Sequence, residues 1–446
     1  MESTLLMTNP STASWLQRPT GALKSSVLAL ALALVPCAWA IAQPSPSTVQ
    51  ELPRLPEDFG KAQEQPEAAV KLFLEGWAGI EYDDNVLRSP VDPKSDTAYI
   101  VAPRIRVKSF QEKFHWDATA GLEAADYQRV SGDDYVDYDI GWTSTWIVTE
   151  ASTLVGFAKL RKDHQLIGDN PGDPERNAKE ATKFWRGDLG LDWTFKPNRW
   201  LFDLGANARY FNYDNTERDD GTLIFEDDRD RTEFDPLVRV GYRVTAKLQP
   251  YVYGAYNVRS YRNNIENIEP FDRDSHGFAS GVGIAYGAKQ DDLFADFSIG
   301  YLHQSYSAAI FRDVNDFGIH GEIAWRITPR FTLAGDVDRS LQETTLDAAS
   351  SYLLTRTQVS ATYDLLQNVS LIAKGRYADY DFQIDEARTQ KPGRNDDVYE
   401  LGLGVKWRLP HDLFFDVYYN FKNRDSTDAG VEYDSHAVRL AIGAQF

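Results

Sequence analysis

The chain has 446 residues, a formal charge of -20 at pH 7 and a mean hydropathy of -0.46. The acidic surplus excludes the basic footprint of a nucleic-acid binder, so no nucleic-acid partner is expected. One cysteine excludes a disulfide-stapled scaffold, and 23 Tyr, 23 Phe and 11 Trp against 2 Met favour strands over helices.

In chain order, Arg18 and Lys24 precede an apolar run from Val27 to Val35, which ends at the small residues Ala38, Ala40 and Ala42. This is the layout of a secretory signal peptide. A membrane anchor would need roughly 20 apolar residues, more than the run supplies. Residues 1–42 are read as the signal peptide, with Met7 an alternative start, and Cys37 follows a proline that spoils it as a lipid-attachment site. Residues 43–69 are rich in Pro, Gln and Glu without an apolar period, which predicts a flexible periplasmic lead-in.

Over residues 70–446 one pattern recurs: about ten residues with apolar side chains at every second place, then a break. Short breaks fall at Gln111 to Lys113, Glu150 to Ser152, Lys196 to Asn198 and Ala246 to Leu248. They continue at Ala288 to Asp292, Thr328 to Arg330, Leu366 to Asn368 and Pro410 to Asp412. Long polar breaks alternate with them, such as those starting at His164 and Asn212, so eight turns and nine loops join 18 strands. Within one strand Tyr399, Leu401, Leu403, Val405 and Trp407 alternate with Glu400, Gly402, Gly404, Lys406 and Arg408.

A soluble sandwich also alternates, but its strands run about 5 or 6 residues. Longer strands with charge along the whole second face fit a water-filled barrel, apolar to lipid and polar to the lumen. Lipid cannot satisfy an open edge, so the sheet must close. The expected fold is all-β: a closed antiparallel transmembrane β-barrel of about 18 strands over residues 70–446, with short periplasmic turns and long extracellular loops.

Trp116, Trp146, Trp193, Trp200, Trp325, Trp407 and Phe331 lie on the apolar phase near short turns, as an interfacial belt requires. Tyr138, Tyr210, Tyr301 and Tyr377 lie toward the loop ends and predict the opposite belt. Phe446 shares the outward phase of Val438, Leu440 and Ile442. A final aromatic on an alternating strand resembles the signal that the barrel assembly machinery reads in bacterial outer-membrane barrels.

The lumen-lining basic residues predicted by phase are Arg104, Arg106, Lys108, Arg186, Arg239, Arg243, Lys374, Arg376, Lys406, Arg408 and Arg439. Facing acids include Asp117, Glu123, Asp137, Asp139, Asp188, Asp192, Asp203 and Asp416. Opposed charge rows would align a polar solute or attract an anionic one; a plain solvated wall is the alternative. Inward aromatics Trp77, Phe184, Phe211, Phe414 and Tyr418 would stack on sugar faces or pack under a folded-in loop. The seven histidines form no ligand or nucleophile spacing and no G-x-S-x-G is present, so neither catalysis, metal nor cofactor is expected. The acidic loops are solvated or bind the divalent cations that bridge lipopolysaccharide.

The first strand runs into Tyr82, Asp83, Asp84 and Asn85. This run resembles the beta-barrel porin 2 family of outer-membrane barrels, in which a tyrosine-acid-acid-asparagine stretch follows the first strand. The resemblance implies a Gram-negative outer membrane, lipopolysaccharide around the wall, and passage of a secreted exopolysaccharide. It also implies a periplasmic polysaccharide export protein as partner. A general diffusion porin and a non-conducting structural or adhesive barrel are the alternatives.

Overall fold

The computed structural model describes residues 69–446 except 173–176, 263–271, 289–290, 345, 347–348 and 390. The signal peptide, and all of the lead-in but Ala69, lie outside the described residues. The first nine strands are β1 (Val70–Asp83), β2 (Asp96–Ser109), β3 (Phe114–Tyr127), β4 (Tyr135–Thr149), β5 (Ser152–Gln165), β6 (Thr182–Phe195), β7 (Trp200–Tyr213), β8 (Arg231–Tyr242) and β9 (Leu248–Tyr261). The second nine are β10 (Ser275–Tyr286), β11 (Leu293–Tyr306), β12 (Val314–Thr328), β13 (Phe331–Gln342), β14 (Ala349–Asp364), β15 (Val369–Ile384), β16 (Arg394–Arg408), β17 (Leu413–Ser426) and β18 (Tyr433–Gln445).

Every strand pairs antiparallel with its sequence neighbours, and β1 pairs with β18 from Glu75↔Gln445 to Asp83↔Ala437. That last pairing closes the 18-stranded sheet into a barrel, so no edge is left to meet lipid. All eight short turns fall where the breaks in the pattern put them. Two of them use Asn198 (φ 56°), His411 (φ 64°) and Asp412 (φ 57°), residue types that enter the left-handed region at modest cost.

The strands run 12 to 16 residues, longer than the alternation suggested. The excess lies partly at the long-loop ends, where outward positions are Asp126, His276, Asn315, Asp397 and His436. With polar residues on both faces there, no apolar period marks the strand.

The apolar phase faces outward. Leu189 is 61% exposed, Ile140 63% and Ile442 53%, and such residues ring the wall on strand after strand. An apolar surface this continuous is far beyond what a soluble monomer exposes. Trp146, Trp200, Trp325 and Trp407 stand exposed at the short-turn rim of this band, and Trp116 stacks on Trp142 at 4.7 Å between centroids. Tyr82, Tyr138, Tyr256, Tyr301, Tyr377 and Tyr399 form the second exposed belt toward the loops. The buried apolar clusters lie inside, at the long-loop end: Tyr352, Tyr380 and Phe382 in one, Leu302, Tyr306, Phe311 and Leu353 in another, Phe184, Phe211 and Tyr213 in a third.

Candidate functional site

The inward phase makes the wall of the lumen. Arg104 donates to both carboxylate oxygens of Asp139, at 2.7 and 3.1 Å, and the Arg106 Nε donates to Asp117 at 2.8 Å. Arg186 pairs with Asp188 (2.8 Å), Arg239 with Asp203 (2.9 Å) and Asp296 (3.3 Å), Arg376 with Glu400 (3.0 Å), Arg408 with Asp364 (3.9 Å) and Arg439 with Glu81 (3.5 Å). Lys406 sits 4.5 Å over the Phe414 ring, Lys108 5.7 Å over Phe110, and Lys374 lies on β15 opposite Ser360 and Gly402. Arg243 is one residue past the end of β8, in the short turn, where its amide donates to the Arg199 carbonyl. The seven arginines on the strands therefore stand beside acidic neighbours on the same stretch of wall instead of forming a row that opposes a separate acidic row. Such pairing keeps charges tolerable on a water-lined surface and leaves the lumen polar without a strong net field.

Exposure is uneven along the lumen, and near the short turns the Arg106 and Arg239 side chains keep 8% each. At mid-height the side chains of Arg104, Asp139, Arg356 and Asp336 keep 33%, 36%, 28% and 34% of their exposure. Toward the loops the same phase is closed in: the Arg231 and Arg259 side chains keep 7% and 5%, and those of Glu233 and Asp396 none. Glu233 accepts from Arg231 at 2.8 Å and lies 3.1 Å from Arg209; Asp396 is held by Arg394 (2.8 Å) and Arg424 (2.5 Å). Ions this deeply buried persist because each is paired and hydrogen-bonded.

What fills this end is the loop that follows β5. It is described over residues 166–172 and 177–181, and the first of these stretches folds inward. Asp169 accepts from Lys422 Nζ at 3.0 Å, and Arg88 Nε lies 3.7 Å away. Arg394 donates to the Gly172 and Pro171 carbonyls at 2.6 and 2.8 Å, and Arg424 to Pro171 at 2.7 Å. Asn170, Pro171 and Gly172 line a water-sized gap of about 30 Å³ together with Glu343, Thr344 and Tyr352, so the tip reaches β14, the strand farthest from β5 around the ring. Sequence reasoning missed Asp169, Lys422, Arg394 and Arg424 as a group. Their one local signal is the Asn170-Pro171-Gly172 run, the chemistry of a sharp loop tip.

Phe184 and Phe211 lie under these loops at 0% and 2% exposure, so they pack and offer no ring face to a solute. Lys406 covers Phe414, and Arg439 stands 5.6 Å from Trp77 and 5.8 Å from Tyr418, between two half-buried rings.

Tyr82 and Asp83 end β1, and Asp84 and Asn85 lead out of it beside β18. Asp83 accepts from Ser435 Oγ (2.8 Å) and Arg88 (2.6 Å), Asp84 from the His436 amide (2.7 Å), and Asn85 Nδ2 donates to the Asp434 carbonyl (2.8 Å). Phe446 is 57% exposed, and its backbone exchanges two hydrogen bonds with Leu74, at 3.0 and 2.8 Å.

Among the described residues, one group offers three possible metal-ligand atoms within 4.8 Å: Asp137, Asp163 and His164. His164 stacks on Tyr135 at 3.7 Å and makes a 2.9 Å hydrogen bond to Asp137. In sequence these residues are unremarkable, because strand pairing brings them together. Below the same loop, the fully buried Asp133 carboxylate accepts from the Ile167 amide at 2.9 Å, and burial pushes its pKa up to about 7.

A sequence profile of the beta-barrel porin 2 family matches residues 75–446. No curated protein matches the chain in sequence. Among solved structures it is similar to Pseudomonas aeruginosa OpdQ, at 12% identity and a TM-score of 0.42, over 85% of this chain and 99% of that one. A BenF-like porin from Pseudomonas fluorescens Pf-5 is similar at 10% identity and 0.43, over 84% and 98%. The siderophore receptor PirA from Acinetobacter baumannii is similar at 8% identity and 0.43, over 84% and 80%.

Proposed function

The chain belongs to the beta-barrel porin 2 family, and from that premise we propose that it is a non-enzymatic passage in a Gram-negative outer membrane, through which a secreted polysaccharide leaves the cell. The observation that carries this reading is the form of the lumen: a polar, ion-paired shaft at mid-height and a mouth filled by the loop after β5. A barrel of 18 strands has the bore for a polymer. Ion pairs that tie the mouth across would hold the lumen shut until cargo arrives from inside, as an exporter requires.

In this scheme residues 1–42 direct the chain to the periplasm and Phe446 is read by the assembly machinery. Lipopolysaccharide contacts the loop-side tyrosine belt, and a periplasmic polysaccharide export protein docks at the short-turn rim and delivers polymer to the shaft. The test is removal of the protein from its host. Polymer trapped in the periplasm, with small-solute uptake unchanged, supports export. Slower solute uptake with normal secretion supports a diffusion porin, and loss of adhesion or envelope integrity alone supports a structural barrel.

A further inference from the structure

One stretch of the shaft has more than solvated charge. On β9 to β12 a row of directly paired inward residues reads Tyr253, Gly281, Gly300 and Gly318. A Cβ on Gly281 would come within 2.8 Å of the Tyr253 ring, and one on Gly300 within 2.4 Å of its hydroxyl. The tyrosine therefore lies down across two strands, flat in a notch that only glycines leave, while remaining half-buried. A ring laid on the wall presents a face to the lumen.

Two residues nearer the short turns, the next row reads Ser298, His320, Asp338 and Arg356, and the one beyond it Asp296, Glu322, Asp336 and Gln358. The β12 to β14 part of this wall lines an open recess of about 300 Å³, which includes Arg356, Gln358, Asp336 and Asp338. Arg356 stands 3.6 Å from Asp336 and His320 3.7 Å from Asp338, both longer than a direct hydrogen bond, so a sugar hydroxyl lying beside either pair can bond to both partners.

The geometry points to a pyranose subsite on this wall, which takes neutral sugar units of the transported polymer; the inference rests on the export reading and specifies its cargo. A sugar ring has an apolar C–H face and a rim of hydroxyls that both donate and accept. Tyr253 supplies the flat surface for the first. Carboxylates, an amide and a guanidinium in adjacent rows supply acceptors and donors for the second. A uronate is disfavoured, because its carboxylate would lie against Glu322, Asp336 and Asp338 with only Arg356 and His320 as compensation.

The test is calorimetric titration of the full mature barrel in detergent with cellohexaose, maltohexaose and hexagalacturonate. At least one neutral hexamer is expected to bind, with hexagalacturonate about tenfold weaker or absent. Tyr253→Ala should weaken the neutral hexamer about tenfold. Tyr253→Phe should retain binding, and the heat-dependent gel shift of a folded barrel verifies both variants. Equal or tighter binding of hexagalacturonate, unchanged affinity in Tyr253→Ala, or no binding by any of the three sugars overturns the subsite. The export reading stands or falls separately on the trapped polymer, which does not depend on these affinities.

Discussion

Asp169→Ala should open the barrel. The carboxylate is the only acidic group that the described part of the plugging loop offers to Lys422, at 3.0 Å, and it also faces Arg88 at 3.7 Å. Arg88 keeps a second partner, Asp83 at 2.6 Å, but the Lys422 ammonium, with its side chain 11% exposed, would lose its ion pair in the closed arrangement. Removing one member of a buried pair costs about 3 to 5 kcal/mol. That cost falls on the closed state alone, because Lys422 is hydrated once the loop swings out. At 1.4 kcal/mol per factor of ten, even the lower figure moves the closed-to-open ratio by about a hundredfold. In a planar bilayer the unmodified mature barrel should be silent or open rarely, and Asp169→Ala should give sustained steps. The bonds that the Arg394 and Arg424 guanidinium groups donate to the Gly172 and Pro171 carbonyls remain, so openings should still close. A variant as silent as its parent, although folded by the gel-shift criterion, would refute the loop as a plug, as would a parent that conducts continuously.

Three other outcomes follow from particular residues. Asp133 titrates near 7 when folded against an ordinary value of 3.8. A raised carboxyl means that the native loop holds the extra proton, so stability is lost as pH rises through this window, up to about 4 kcal/mol above it. Asp133→Asn, which keeps the acceptor for Ile167, should match wild type near pH 4 and protect the Ile167 amide from hydrogen exchange better at pH 8. Leu403→Arg puts a cation on the lipid face of β16 and should cost about 2 to 4 kcal/mol in refolding titrations into vesicles, if the apolar phase faces lipid. Phe446→Ser leaves the backbone bonds to Leu74 in place, so it should slow assembly in cells while the heat stability of barrels that do form stays unchanged.

The wall of this protein was legible because its two faces meet different solvents. A period of two over Tyr399 to Arg408 states which side is wet, and the breaks state where the chain turns. The inward phase of Arg104, Arg376 and Arg439 could be read for the same reason. Their partners could not, since Arg376 meets Glu400 only through register between β15 and β16. The filled mouth was less legible still. Asp169 and Lys422 are 253 residues apart, and loop residues have no period to state where they point. Phe184 and Phe211 show the limit well: phase put them inside, but an inward aromatic looks the same in sequence whether a solute or a loop covers it.

The pairing of β1 with β18 has a consequence for how the ring comes into being. Neighbouring strands elsewhere are tethered by a connection, but these two are the first and last strands of the sheet, and their meeting closes a loop of 354 residues, from Asp83 to Ala437. Chain entropy makes that about 4 kcal/mol dearer than closing a four-residue hairpin. Side chains gather at this joint: Asp83, Asp84, Asn85 and Arg88 all bond to Asp434, Ser435 or His436. The tyrosine-acid-acid-asparagine run is thus a clasp, useful only when the last strand has been made. A chain cut short anywhere before Asp434 has nothing to fasten, and its first strand stays an open edge.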